Sequence, residues 1–199
     1  MQIPKEKIRK KIENEARKIF LDKGYSNASM RDIAKKAKIS TSNLYTYFIS
    51  KEELFHSIVF GTFKKITKLQ QTLVETEEII GTEQFFNKIT KYVAEPIGEL
   101  IKNNHTEFLL LLDKSQGTKY EMFKNKLIKI IENHFLEHIQ VQTETKKEGL
   151  KDTFVIHIIA TNFLEGFLEI ARHYKTDEWT DYNIESFMKY HINGIKVFF

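Results

Sequence analysis

The chain has no cysteine, which excludes a disulfide framework, a thiolate zinc site and a cysteine nucleophile. Proline and glycine are scarce, 2 and 8 in 199 residues. Strands and hairpins need turn residues more often than that, so long helices joined by short connections are expected. Long apolar runs are missing too. Residues 154–164 form an uncharged stretch, but it falls well short of the ~18 residues that a membrane-spanning helix needs. The opening MQIPKEKIRKKIENEARKIF is charged throughout and lacks the apolar centre of a signal peptide. A cytoplasmic protein that engages no membrane is therefore expected. Nor does the sequence show a Ser-His-Asp arrangement, a phosphate loop or a dinucleotide fingerprint. The expectation is a protein that is not an enzyme and uses neither cofactor nor metal.

What is present is an uneven distribution of charge. Residues 1–51 hold 13 Lys and Arg against 5 Asp and Glu, a balance of +8, while residues 52–199 hold 18 against 22, a balance of −4. A basic head on a mildly acidic body suits a protein that docks one end on a polyanion. Lys-rich helices that merely keep a chain in solution would give the same balance, so the decision rests on the motif.

Ile8, Ile12, Ala16, Ile19 and Phe20 recur at helical spacing, predicting a first helix over about 5–23 with Pro4 before its first turn and Gly24 as its stop. Ser29 followed by Asp32 resembles a capping box and opens a second helix that buries Ile33, Ala34 and Ala37. Ser40 is an N-cap for a third helix burying Leu44 and Phe48, and Ser50 with Glu53 opens a fourth. Two short helices joined by Ala37-Lys38-Ile39 make a helix-turn-helix, whose second helix presents its N-terminal residues to base edges in the major groove. Those residues are Thr41, Ser42 and Asn43. With Thr46 they are polar, uncharged and groove-sized, which is more than capping requires.

The pattern Ser29, Arg31-Asp32-Ile33-Ala34, Ala37, Ile39-Ser40, Leu44-Tyr45-Thr46-Tyr47-Phe48 and Ser50-Lys51-Glu52-Glu53-Leu54 resembles the DNA-binding head of the tetracycline-repressor (TetR) family. The resemblance covers the first quarter of the chain. It implies an all-α protein, with a three-helix head on a larger helical body that dimerises and senses a ligand. Carried over residue by residue, it places base-reading positions at Thr41, Ser42 and Asn43. Phosphate-contacting positions fall on Ser29, Tyr45, Thr46, Tyr47 and Lys51. Lys51 lies in a first helical turn, where free N–H groups already favour a phosphate, and one of the two tyrosines is expected mainly to pack.

Two positions depart from the family pattern. Lys38 stands where glycine is common in the turn, so a non-glycine residue is expected in a left-handed conformation at roughly 1 kcal/mol. It also brings a positive charge to the groove beside Ser40. Ser42 replaces another common glycine and adds a hydroxyl. The third helix exposes no Lys or Arg, so the bidentate guanine contact is missing, whereas Asn43 can pair with adenine and Thr41 can touch a thymine methyl. An A·T-leaning half-site is expected.

The expected division is a DNA-binding domain over 1–50 and a ligand-binding and dimerisation domain over 51–199. Helical patterning continues from Glu52 to about 75, then over about 82–102, where Pro96 must kink or split the helix. Further helices are expected near 106–115, 119–140, 151–174 and 181–197, with HYKTDEWTD as a loop. Phe163, Gly166 and Phe167 on one of the last two helices, with Ile184, Phe187, Met188, His191 and Ile195 on the other, are the expected homodimer face. Such a dimer sets two recognition helices about 34 Å apart. Phe63, His105, Thr161 and Glu165 are candidate pocket residues for a small apolar or amphipathic effector, although an internal partner for Glu165, such as His105 or Arg172, is the favoured explanation of that carboxylate.

His134, Glu137 and His138 match the H-x-x-E-H spacing of some zinc peptidases. Five residues on a helix without a third ligand are weak support for a zinc hydrolase, so that reading stays remote. The leading expectation is a ligand-responsive homodimeric repressor that binds a palindromic operator and is released by a small molecule. The alternative is a DNA-binding protein with no small-molecule effector, acting architecturally or under a protein partner's control.

Overall fold

The structure, a computed structural model, describes residues 5–74, 90–146 and 153–195, with the side chains of 72–74 and 137–146 excepted. All its regular elements are helical. The fold is all-α, as the punctuation of the sequence implied. Helix α1 spans Lys5–Asn27, with Gly24 (φ 75°) breaking its geometry where the stop was expected. Helices α2 (Met30–Lys36) and α3 (Thr41–Tyr45) are short, and α4 runs over Lys51–Val74. A π-helical turn at Thr90–Ala94 leads into α5, Glu95–Asp113. Then come α6 (Phe123–Lys146), α7 (Phe154–Arg172) and α8 (Asp177–Ile195).

Pro96 follows directly on the change from the π-helical turn Thr90–Ala94 to α5, so it sits where the expected helix is divided. Two sequence expectations need correction. Non-helical geometry falls at Asn104 (φ −147°, ψ 33°) inside α5, so residues 95–102 and 106–113 of the two expected helices share one broken element, and 82–89 lie outside the described residues. Part of the supposed HYKTDEWTD loop is the start of α8. Thr176 Oγ1 accepts the Trp179 N–H at 3.1 Å, and Asp177 and Glu178 occupy the first turn, where negative charge meets the positive end of the helix dipole. Residues 147–152, around the start of the helix expected over 151–174, and residues 196–199 lie outside the described residues.

The chain forms two compact units, one of Met1–Lys64 with Thr106–Phe123 and the other of Lys65–His105 with Lys124–Phe199. In the first, Ile12, Ala16 and Phe20 of α1 pack with Ile33, Leu44, Phe48 and Phe55, all fully buried. The Phe20, Tyr25 and Phe55 rings meet at centroid distances of 5.2–5.9 Å. The 114–120 segment closes on the turn after α1: the Tyr25 N–H donates to Lys114 O at 2.9 Å and Ser26 Oγ to Gln116 O at 2.6 Å.

In the second unit, α7 and α8 form the centre. Helix α7 is long and apolar enough to cross a membrane, which the uncharged stretch alone did not suggest. Its apolar residues Ile156, Ala160, Phe163, Leu164, Phe167 and Leu168 are nevertheless buried in the protein, and Glu165 and Glu169 both pair with Arg172.

Candidate nucleic-acid interface

Helices α2, α3 and α4 are each started by a serine hydroxyl. Ser29 Oγ accepts the Asp32 N–H (3.1 Å), Ser40 Oγ the Asn43 N–H (3.1 Å) and Ser50 Oγ the Glu53 N–H (3.0 Å). Glu53 completes a capping box by accepting the Ile49 N–H at 2.6 Å. Asp32 is drawn elsewhere, to the Lys23 ammonium at 3.2 Å. That hydrogen bond, and then the one from Ser29, hold its carboxyl below the ordinary aspartate range.

The turn between α2 and α3 closes as a Schellman motif. The Ile39 N–H reaches Ala34 O (3.0 Å) and the Lys38 N–H reaches Lys35 O (3.2 Å), which requires a left-handed residue at position 38. Lys38 supplies it with φ 56°, the one positive φ outside glycine among the described residues. Leu44 is fully buried beneath α3, which turns Ser42 and Asn43 to solvent and leaves Thr41 half-buried. Ser42 Oγ shares a hydrogen bond with Ser40 Oγ (3.1 Å). The Thr46 hydroxyl donates to Asn43 O at 2.7 Å, so its proton is already used within the helix. Tyr45 is exposed and Tyr47 is half-buried.

Lys51 is placed differently from what the first-turn argument suggests. Its ammonium lies over the Tyr25 ring (4.2 Å) and donates to the carbonyls of Tyr25 (2.8 Å), Ala28 (2.9 Å) and, longer, Ser26 (3.4 Å). Burial lowers its pKa. Arg9 also turns inward, covering the Phe48 ring at 4.2 Å and donating to Tyr47 O at 3.3 Å. No local signal marks either contact, because Arg9 and Tyr47 are far apart in sequence and meet only through the fold.

The remaining candidates have separate partners. Phe63 belongs to the basic unit and packs on Tyr120 and Phe123 (5.2 and 4.9 Å). His105 stacks on Tyr174 at 4.5 Å. Glu165 pairs with Lys124 and Arg172, the internal partnership that explains a carboxylate in so apolar a helix. Thr161 Oγ1 is buried with no hydrogen-bond partner among the described residues.

Of the expected dimer face, Phe163, Phe167, Ile184, Met188, His191 and Ile195 are buried within a single chain; Phe163 and His191 meet between α7 and α8, Ile184 lies toward Gly98 of α5, and Ile195 packs with Phe135 and Ile156. Phe187 packs on Phe163 and Phe167 (6.2 and 5.5 Å), and a Cβ on Gly166 would fall 2.2 Å from the Phe187 ring. Burial among these rings drops the His191 pKa to about 4. The side chains of Glu137 and His138 lie outside the described residues, and His134 is buried.

Residues 12–58 match the sequence model described as "Bacterial regulatory proteins, tetR family". Over 59 residues the chain is 44% identical to the HTH-type transcriptional regulator UidR of Escherichia coli (strain K12), a match that covers 30% of each chain. In fold it is similar to the ketosteroid transcriptional regulator KstR2 of Mycobacterium tuberculosis, with TM-score 0.66 and 16% identity over 97% of this chain and 96% of that one. It is also similar to AibR, solved in complex with isovaleryl coenzyme A and operator DNA, with TM-score 0.57 and 18% identity over 90% and 97% of the two chains.

Proposed function

We propose that this chain, which carries the tetR-family head at residues 12–58, is a homodimeric transcriptional regulator that binds a palindromic operator and is released by a small molecule. The observation that carries the reading is the outward display of Ser42 and Asn43 on a capped helix seated on the buried Leu44. In this reading, residues 1–50 bind DNA and residues 51–199 bind effector and partner copy. Thr41, Ser42 and Asn43 select bases, with Ser29, Ser40, Tyr45 and Tyr47 as further hydroxyl contacts and Lys38 as a nearby charge, while the Thr46 hydroxyl steadies α3 through Asn43 O. Lys51 acts by holding the head together, since its ammonium is already engaged inside it.

Dimerisation is proposed through the outer faces of α7 and α8, where Phe154, Ile158, Tyr182 and Tyr190 are exposed. The buried Thr161 hydroxyl supports an effector with a polar atom to offer it. The isovaleryl coenzyme A bound to the structural relative AibR supports an amphipathic one. Such an effector acts by binding the DNA-free arrangement more tightly. Its proposed location is the cytoplasm. Footprinting on the DNA upstream of the chain's own gene, repeated against a panel of apolar and cationic compounds, tests the whole reading. Protection abolished by one compound supports it. Protection indifferent to every compound favours a regulator without a small-molecule effector, and no protection refutes the assignment of the head.

A further inference from the structure

Binding DNA through a recognition helix without Lys or Arg leaves open where the phosphate-binding charge resides. Of the 13 cations in residues 1–51, several are committed within the basic unit. Lys51 is held by carbonyls and Arg9 by Tyr47 O and the Phe48 ring. Arg17 pairs with Glu107 at 2.6 Å and Lys23 with Asp32 at 3.2 Å. Lys7 and Lys11 are exposed and pair with no carboxylate among the described residues, and Lys10 meets only the exposed Glu6 at 3.9 Å.

These three lysines are not scattered. Lys7, Lys10, Lys11, Arg17 and Lys18 line one groove along α1 that Thr106 of α5 also borders, and its one carboxylate, Glu15, pairs with Lys18 at 2.8 Å. A second groove contains Lys35, Lys36 and Lys38 and shares that pair with the first. Two basic stretches therefore flank the Glu15–Lys18 pair, one at the left-handed turn before α3 and one at the beginning of α1. Asp22 and Asp32 temper the former, so the α1 stretch is the more positive. From Lys7 to Lys18 the helix rises about 16 Å, close to the length of five base pairs. The opposite side of α1, bearing Ile12 and Ala16, is buried in the core, and Arg9 ties the helix to Tyr47 just after α3. The outer lysines thus point away from the bases that α3 would read.

We infer that the outer face of α1, through Lys7, Lys10 and Lys11, is a second DNA contact that grips the phosphates flanking the half-site, independently of sequence. The inference rests on the proposed DNA-binding role and names the charge that role needs. Each phosphate neutralised contributes about 0.9 to the slope of log affinity against log salt concentration. The test uses the full chain and random-sequence duplexes of two lengths, one of a single half-site's span and one longer by a helical turn on each side, each titrated with salt.

Wild type is expected to show the steeper slope on the longer duplex. Replacing the three lysines together (Lys7→Gln, Lys10→Gln, Lys11→Gln) should lower that slope by about 2 to 3 and leave the short duplex nearly unaffected. An unchanged slope on the longer duplex overturns the inference alone. Equal loss on both duplexes also overturns it, by placing the stripe within the half-site, as does tighter binding of an RNA duplex of equal length. A wild-type chain that binds neither duplex overturns the inference together with the DNA-binding role. All three positions are exposed, so the variant should keep the wild-type thermal midpoint, and circular dichroism checks this.

Discussion

The α2–α3 region and the α7–α8 pair solve opposite problems. Around α3, polar groups face outward and the backbone is ordered by local means: a serine cap, a Schellman turn and one left-handed lysine. Between α7 and α8, order comes from side chains far apart in sequence, with Phe187 filling the space that Gly166 leaves empty and a histidine enclosed among phenylalanines. The first region spends little hydrophobic area and keeps its hydrogen-bonding groups available. The second is held by apolar packing and carries a buried group that acid can charge. Conditions and substitutions should therefore separate the two.

Acid should produce the largest difference. The folded-state pKa of His191, about 4, lies below the ordinary histidine value, so the unfolded chain takes up the proton first as pH falls. Stability is full above about pH 6.5 and is lost progressively toward pH 4, by up to about 3 kcal/mol. Trp179, the chain's one tryptophan, begins α8 and reports this unit by fluorescence. Urea midpoints at pH 7 and 4.5 should diverge in wild type and converge in His191→Phe. An equal acid loss in both proteins removes His191 as the cause.

Next comes Gly166→Ala. Its new methyl would overlap the Phe187 ring, and forced repacking of this kind costs about 2 kcal/mol, or a melting point lower by about 5 °C. Adding Phe187→Leu should restore part of the loss, whereas additive damage would show that the two residues do not share one space. In the basic unit, Lys51→Met leaves its carbonyls without the ammonium, at about 1–2 kcal/mol for a partly exposed group. DNA affinity should fall with the salt slope unchanged. A slope reduced by about 1 would return Lys51 to the phosphate-binding set.

The smallest effects are a matched pair at the turn. Ser40→Ala should cost about 1 kcal/mol through the lost cap, and Lys38→Gly should gain about 1 kcal/mol by relieving the left-handed lysine. Neither should disturb the Trp179 signal at fixed temperature well below the melting transition.

The same contrast explains what the sequence made legible. Ser29, Ser40 and Ser50 each announce a helix through residues no more than three positions away, and the strain at Lys38 follows from one residue in one turn. Those readings hold in the structure. The start of α8 had a local signal as well, Thr176 with two acids behind it, but its polarity resembles that of a loop. The bend at Asn104, the inward turn of Lys51 and the burial of Phe163, Phe167 and His191 inside one chain depend on partners that only the fold brings near. Periodicity finds the faces of α7 and α8 but does not say what those faces meet.

The turn at Tyr25 gives experiments a convenient handle. Its amide proton is held by Lys114 O while its carbonyl receives the Lys51 ammonium. One residue thus feels, from its two sides, helix α4 and the segment that follows α5. In a nitrogen-edited NMR spectrum, the Tyr25 resonance should register disturbance of either partner. Its rate of hydrogen exchange would time how often the 114–120 segment lifts off, without any label being added to the protein.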